Sequence, residues 1–87
     1  MLNVTADAAE FLFQMLPPSE ASENRTIRLI LHDSGFSLEV DTVRPDEATF
    51  SLEGSVVLVI DKQTCEFLAA NTLDVTDTVD GPKLELV

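Results

Sequence analysis

Ser34-Gly35-Phe36-Ser37-Leu38-Glu39-Val40-Asp41, followed by Phe50 and then by Glu53-Gly54-Ser55-Val56-Val57-Leu58-Val59-Ile60-Asp61, is the stretch that decides the fold. Phe36, Leu38 and Val40 alternate with polar residues, the period of a strand with one buried face, and predict a strand over 36–43. Upstream, residues 26–32 alternate as well. Ile27, Leu29 and Leu31 face one way, while Arg28, Ile30 and His32 face the other, an amphipathic side expected to be only partly covered. Asp33-Ser34-Gly35 is a turn, so the two strands form an antiparallel hairpin. Arg44-Pro45-Asp46-Glu47 is a second turn before a short strand over 48–52. Glu53-Gly54-Ser55 then turns into 56–60, a β-branched run of the kind seen in strands covered on both faces.

Working outward, residues 2–4 predict a short strand. Thr5 stands where an N-cap belongs, ahead of a helix over 6–16 with Asp7 and Glu10 near its positive end. Pro17-Pro18 stops that helix, because the residue before a proline is pushed out of helical geometry. Ala8, Leu12 and Met15, with Phe11, make one apolar face, and Ala9, Phe13 and Leu16 a neighbouring one. The second stripe is a candidate partner surface. The polar segment 19–24 is expected to be loop. Asp61 caps a second helix over 62–70 with Phe67 and Leu68 as its expected buried contacts, and Asn71 ends it. Two further strands, 73–78 and 83–87, flank the turn Asp80-Gly81-Pro82. The expected class is α+β: one domain, residues 1–87, of short and mostly antiparallel strands in a sandwich or half-barrel with two helices.

Sixteen acidic against five basic residues give a formal charge of −11. Phosphate repulsion argues against nucleic acid and against an anionic membrane surface, and the field favours a basic protein partner. A hydrophobic share of 45% is enough for one core and too much for a disordered tail. The single cysteine cannot form an internal disulfide, and the opening Met-Leu-Asn-Val-Thr is neither basic nor long and apolar. A soluble, cytoplasmic protein is expected.

In order and spacing, these motifs resemble the A-type iron–sulfur carriers, the HesB/IscA/SufA type. Leu2-Asn3-Val4-Thr5 with Ala8-Ala9 is similar to the family's opening strand and alanine-bearing helix, and Ile27-Arg28-Leu29 to its leucine-arginine-leucine strand. Leu73-Asp74-Val75 is similar to its late leucine-aspartate-aromatic strand, and residues 81–87 to its last strand before a cysteine tail. The resemblance implies a HesB/IscA-like domain and a place in or around iron–sulfur cluster biogenesis or its regulation.

The departures bear on chemistry. Where the family places its first cysteine ligand, in a Ser-Gly-Cys-Ser-Gly-like loop, this chain has Ser34-Gly35-Phe36-Ser37, and the loop is shorter. The other two ligands belong to a Cys-Gly-Cys tail, and the sequence ends at Val87 without one. A phenyl ring cannot replace a soft thiolate. No family ligand carries over to a position here, so no cofactor is expected. The resemblance also implies a docking role, since cysteine-free versions of this domain occur alone and as the degenerate N-terminal half of Nfu-type carriers; that this chain is such a docking domain of a longer Nfu-type carrier is an alternative.

Cys65 and His32 are the soft or borderline ligands of the chain. Cys65, on a helix beside apolar residues, reads as a small buried hydrophobe; a shared thiolate binding iron or a cluster across a homodimer is the alternative. His32 reads as a solvated strand-end residue, and no nucleophile–base pair with Ser34 or Ser37 is indicated. Asp74, Asp77 and Asp80 lack calcium-loop spacing and read as a solvated strand end. Carboxylates are plentiful, but none sits in the apolar run that acid–base work requires. The expectation is therefore a non-enzymatic protein acting through protein contacts. Its candidate surface residues are Phe13, Arg28, Ile30 and His32.

Overall fold

A computed structural model of the chain describes residues 2–17 and 24–87. The elements run β1 (Asn3–Val4), α1 (Ala6–Met15), β2 (Arg25–His32), β3 (Gly35–Thr42), β4 (Ala48–Leu52), β5 (Ser55–Ile60), α2 (Lys62–Phe67), β6 (Thr72–Thr78) and β7 (Gly81–Leu86). They form two sheets, one ordered β3-β2-β5-β4 and one ordered β1-β6-β7. Among the described residues this is the expected α+β architecture of short, mostly antiparallel strands with two helices. The polar segment expected as loop lies, apart from Asn24, outside the described residues.

Thr5 begins α1 as expected: its hydroxyl accepts the Ala8 N–H at 3.1 Å while its carbonyl accepts that of Ala9 at 2.9 Å. Leu16 is extended (φ −84°, ψ 118°), the geometry that a following proline imposes, and the helix stops there. Ala8, Ala9 and Leu12 are buried against the sheets, and the small alanines let the helix approach closely. Met15, expected on the core face, is 45% exposed; Leu16, four residues after Leu12, packs against the core in its place.

The β2–β3 hairpin pairs without a slip from Arg25↔Thr42 to His32↔Gly35. The β4–β5 hairpin closes on Glu53 (φ 51°) and Gly54 (φ 85°), two left-handed residues whose twist suits the strands they join. Two pairings are parallel, β1 with β6 and β2 with β5. Neither is announced by a turn, because each joins segments far apart in sequence. In β5, Val57 to Ile60 are all buried, as a strand covered on both faces must be. Leu58 and Ile60 join Leu2, Leu12, Ile27, Leu29 and Leu73 in the core between helix and sheets.

α2 is shorter than expected, and of its two expected buried contacts only Leu68 is buried. Asp61 caps it, its carboxylate accepting the Thr64 N–H at 2.9 Å and the Thr64 hydroxyl at 2.8 Å. Cys65 and Leu68 are the buried pair, while Phe67, expected inside, is 76% exposed. Residues three apart share a helix face, whereas Phe67 follows Cys65 by two and points elsewhere.

Candidate functional site

The candidate surface residues on β2 have three different fates. Arg28 faces away from Leu29, as alternation requires, yet it is buried. Its Nε donates to Asp41 Oδ2 at 2.9 Å, Nη2 donates to Glu47 Oε1 at 2.8 Å and to the Thr42 carbonyl at 3.0 Å, and Nη1 donates to Glu47 Oε2. Asp41 comes from β3 and Glu47 from the turn before β4, so two loop-proximal carboxylates fold over a face expected to be partly open. Arg44 adds a backbone N–H to Glu47 Oε1 at 2.7 Å and a guanidinium bond to Asp41 Oδ2 at 3.2 Å.

The electrostatics are mutual. Glu47 raises the Arg28 guanidinium well above its ordinary range against the opposing effect of burial, with Asp41 adding to the rise. The Arg28 bonds hold the Glu47 carboxyl below its usual range. Asp41 is lowered first by the Thr42 N–H and then by Arg28. With its donors engaged inside the fold, Arg28 is a structural clamp. It is also the register neighbour of Val59, which is fully buried although it lies outside the main apolar cluster.

Ile30 is half-buried and His32 exposed on the same face. His32 Nε2 lies 2.7 Å from the Ser37 hydroxyl, a contact not expected from the sequence. Ser37 is the register partner of Ile30, which puts it diagonally across from His32. Phe13 is 49% exposed on α1. Cys65 is buried and borders an open groove of about 540 Å³ lined also by Asp46, Glu47, Ala48 and Lys62. Phe36 is half-buried and packs against the core instead of standing free in a loop.

Asp74 is not a solvated strand-end residue. It accepts the Thr5 hydroxyl at 2.8 Å and its neighbour's N–H at 2.8 Å, tying the start of α1 to β6. Asp77 and Asp80 are exposed. Among the described residues no helix is long and apolar enough to cross a membrane.

No protein-family model matches the chain, and no curated protein sequence does. Solved structures match over its whole length. IscA with its 2Fe-2S cluster superposes with a TM-score of 0.64 at 15% identity, over all of this chain and 84% of that one. SufA of Escherichia coli, a protein involved in biosynthesis of iron–sulfur clusters, gives 0.66 at 17% identity over 99% of this chain and 83% of SufA. A protein from Aquifex aeolicus solved in solution gives 0.60 at 23% identity, with 99% and 89% covered. The fold is that of the A-type iron–sulfur carriers, the HesB/IscA-like fold that the sequence resembles.

That likeness corrects the expectation of a protein without a cofactor, since the same fold in IscA carries a 2Fe-2S cluster. The donors present here do not by themselves make such a site. Cys65 is the one thiol and is buried, and among the described residues no three of His, Cys, Asp and Glu are grouped to hold a metal ion. The fold is shared, while among the described residues no such ligand set is grouped within one chain.

Proposed function

We propose that this chain works in or around iron–sulfur cluster biogenesis through contacts with other proteins, without catalysing a reaction of its own. The observation that carries this reading is the pairing of an IscA- and SufA-like fold with apolar side chains left outside the core, Phe13 among them. A half-exposed phenyl ring on a helix whose other face is already packed is an anchor available to a partner. Ile30 and His32, on the outer face of the sheet and so apart from Phe13, are the alternative contact, with Arg28 holding that face from within. The charge of −11 selects a basic partner.

The test is genetic and biochemical. Cells lacking the chain should lose activity of enzymes that depend on 4Fe-4S clusters, such as aconitase, with the enzyme protein still present. The wild-type chain should restore it. Phe13→Glu, with an unchanged melting temperature, should not. Unchanged cluster-enzyme activity in the deletion would overturn the reading, and an unfolded Phe13→Glu would assign Phe13 to the core.

A further inference from the structure

The two sheets leave four strand edges, and three of them are blunted. β1 is two residues long, β7 carries Pro82 and Lys83, and β4 has a register shift between Phe50 and Ser51. β3 has none of these devices. It runs eight residues in unbroken register with β2, contains neither proline nor lysine, and among the described residues pairs with no strand on its other side. Every second residue of such a strand turns its N–H and C=O outward; Thr42 has its N–H on Asp41 and its carbonyl on Arg28, so the open donors and acceptors of β3 lie before it.

Side chains beside this edge say what would fit it. Phe36, Leu38 and Val40 share the inner face; the first two are half-buried and Val40 is 41% exposed. Next to them a groove of about 500 Å³ opens between β3 and β7, with Phe11 and Leu84 on its walls. On the other face Glu39 is exposed, while Asp41 is engaged by Arg28 and Arg44. Lys83 at the groove directs positive side chains of an incoming segment away from it and over Glu39. A second copy suits this edge poorly. Antiparallel pairing about Leu38 would bring both Glu39 side chains onto one face and join two chains of charge −11.

We infer that the outer edge of β3 is a docking site for an extended, Lys- or Arg-bearing segment of another protein, which adds to the sheet as a fifth strand. Alternate apolar side chains of the segment enter the groove and its basic ones face Glu39; backbone bonds supply affinity and the side chains supply choice. The inference rests on the reading that the chain works through protein contacts, and it names the surface and the chemistry of the partner.

The experiment is a nitrogen-15 amide titration of the full chain with the peptide Lys-Val-Lys-Val-Lys-Val-Lys. Shift changes and slowed amide exchange should concentrate on residues 35–42. A peptide N-methylated at alternate residues, or one with Glu in place of Lys, should leave those signals unmoved. Glu39→Lys should weaken binding about fivefold, the effect of one exposed charge pair, and should admit the Glu peptide. The inference is overturned by an absence of shifts, by shifts over Asp74, Asp77 and Asp80 that survive N-methylation, or by a peptide-free dimer that already protects β3. Those outcomes leave the cluster-enzyme test with Phe13→Glu standing, so the two failures are distinguishable.

Discussion

The Arg28 guanidinium and the Glu47 carboxylate meet as a two-pronged pair, Nη1 to Oε2 and Nη2 to Oε1, with both side chains more than nine-tenths buried. This pair fastens the turn before β4 across the outer face of the β3-β2-β5-β4 sheet. Removing one partner leaves the other charge buried, so Glu47→Ala should cost about 2–3 kcal/mol in urea unfolding. That is below the value for a fully enclosed pair because Asp41 still neutralises Arg28. Arg44→Ala, whose side chain is 64% exposed, should change stability by less than about 0.5 kcal/mol.

The same cluster sets an acid response. Asp41 and Glu47 are both held below their ordinary values of 3.8 and 4.5, so their contribution is full above those values. It is lost as pH falls through the depressed folded pKa values. Arg28 is raised, and it remains charged throughout this range. Protonation of exposed acids relieves self-repulsion as pH falls, an opposing effect that high salt screens more than it screens a buried pair. In high salt, stability should be level from pH 7 to about 5 and then fall below about 4.5. Glu47→Gln should lose part of that fall, and an unchanged slope would remove Glu47 from the acid response.

Much of the architecture was legible because it rests on local signals. Alternation placed β2 and β3, a β-branched run placed β5, and Thr5 and Asp61 announced both helices. Long-range pairing left no such trace, so the parallel contacts β1–β6 and β2–β5 went unseen. The site was harder to read for the same reason. Alternation correctly turned Arg28 away from Leu29, but it could not show that Asp41 and Glu47, 13 and 19 residues on, would close over it. Likewise Asp74 reads as a solvated strand residue until β6 is seen beside the start of α1.

Glu53 occupies the left-handed region in the turn between β4 and β5, which a β-carbon disfavours by about 1 kcal/mol. Asn tolerates this geometry, and Asn-Gly is the preferred pair for such a turn. Glu53→Asn should therefore stabilise the protein by about 0.5–1 kcal/mol. Glu53→Gln removes the same charge while keeping the strain, so it separates backbone relief from electrostatics. Equal gains from both would assign the effect to charge.

Thr5 and Asp74 lie 69 residues apart and share a hydrogen bond of 2.8 Å. The Thr5 oxygen accepts from α1 while its hydroxyl proton goes to β6, so cap and sheet are one unit. Thr5→Ala should cost about 1–2 kcal/mol, as the loss of a helix cap does. Asp74→Asn keeps an acceptor and should cost less. A double-mutant cycle of Thr5→Ala with Asp74→Ala should give a coupling of about 1 kcal/mol. Additive losses would mean that cap and strand are held independently.

The second helix offers a direct contrast between two adjacent residues. Leu68 is 3% exposed and belongs to the core cluster, whereas Phe67 is 76% exposed. Leu68→Ala should cost about 2–4 kcal/mol through lost burial and the cavity left behind. Phe67→Ser should fall within about 0.5 kcal/mol of wild type, because the ring is already in water. Cys65, buried on the Leu68 side, reports the same geometry chemically. Its thiol should react with a disulfide reagent slowly in native protein, quickly in urea, and faster in Leu68→Ala than in Phe67→Ser. Equal reactivity in the two variants would mean that Cys65 is reached without opening this face of the helix.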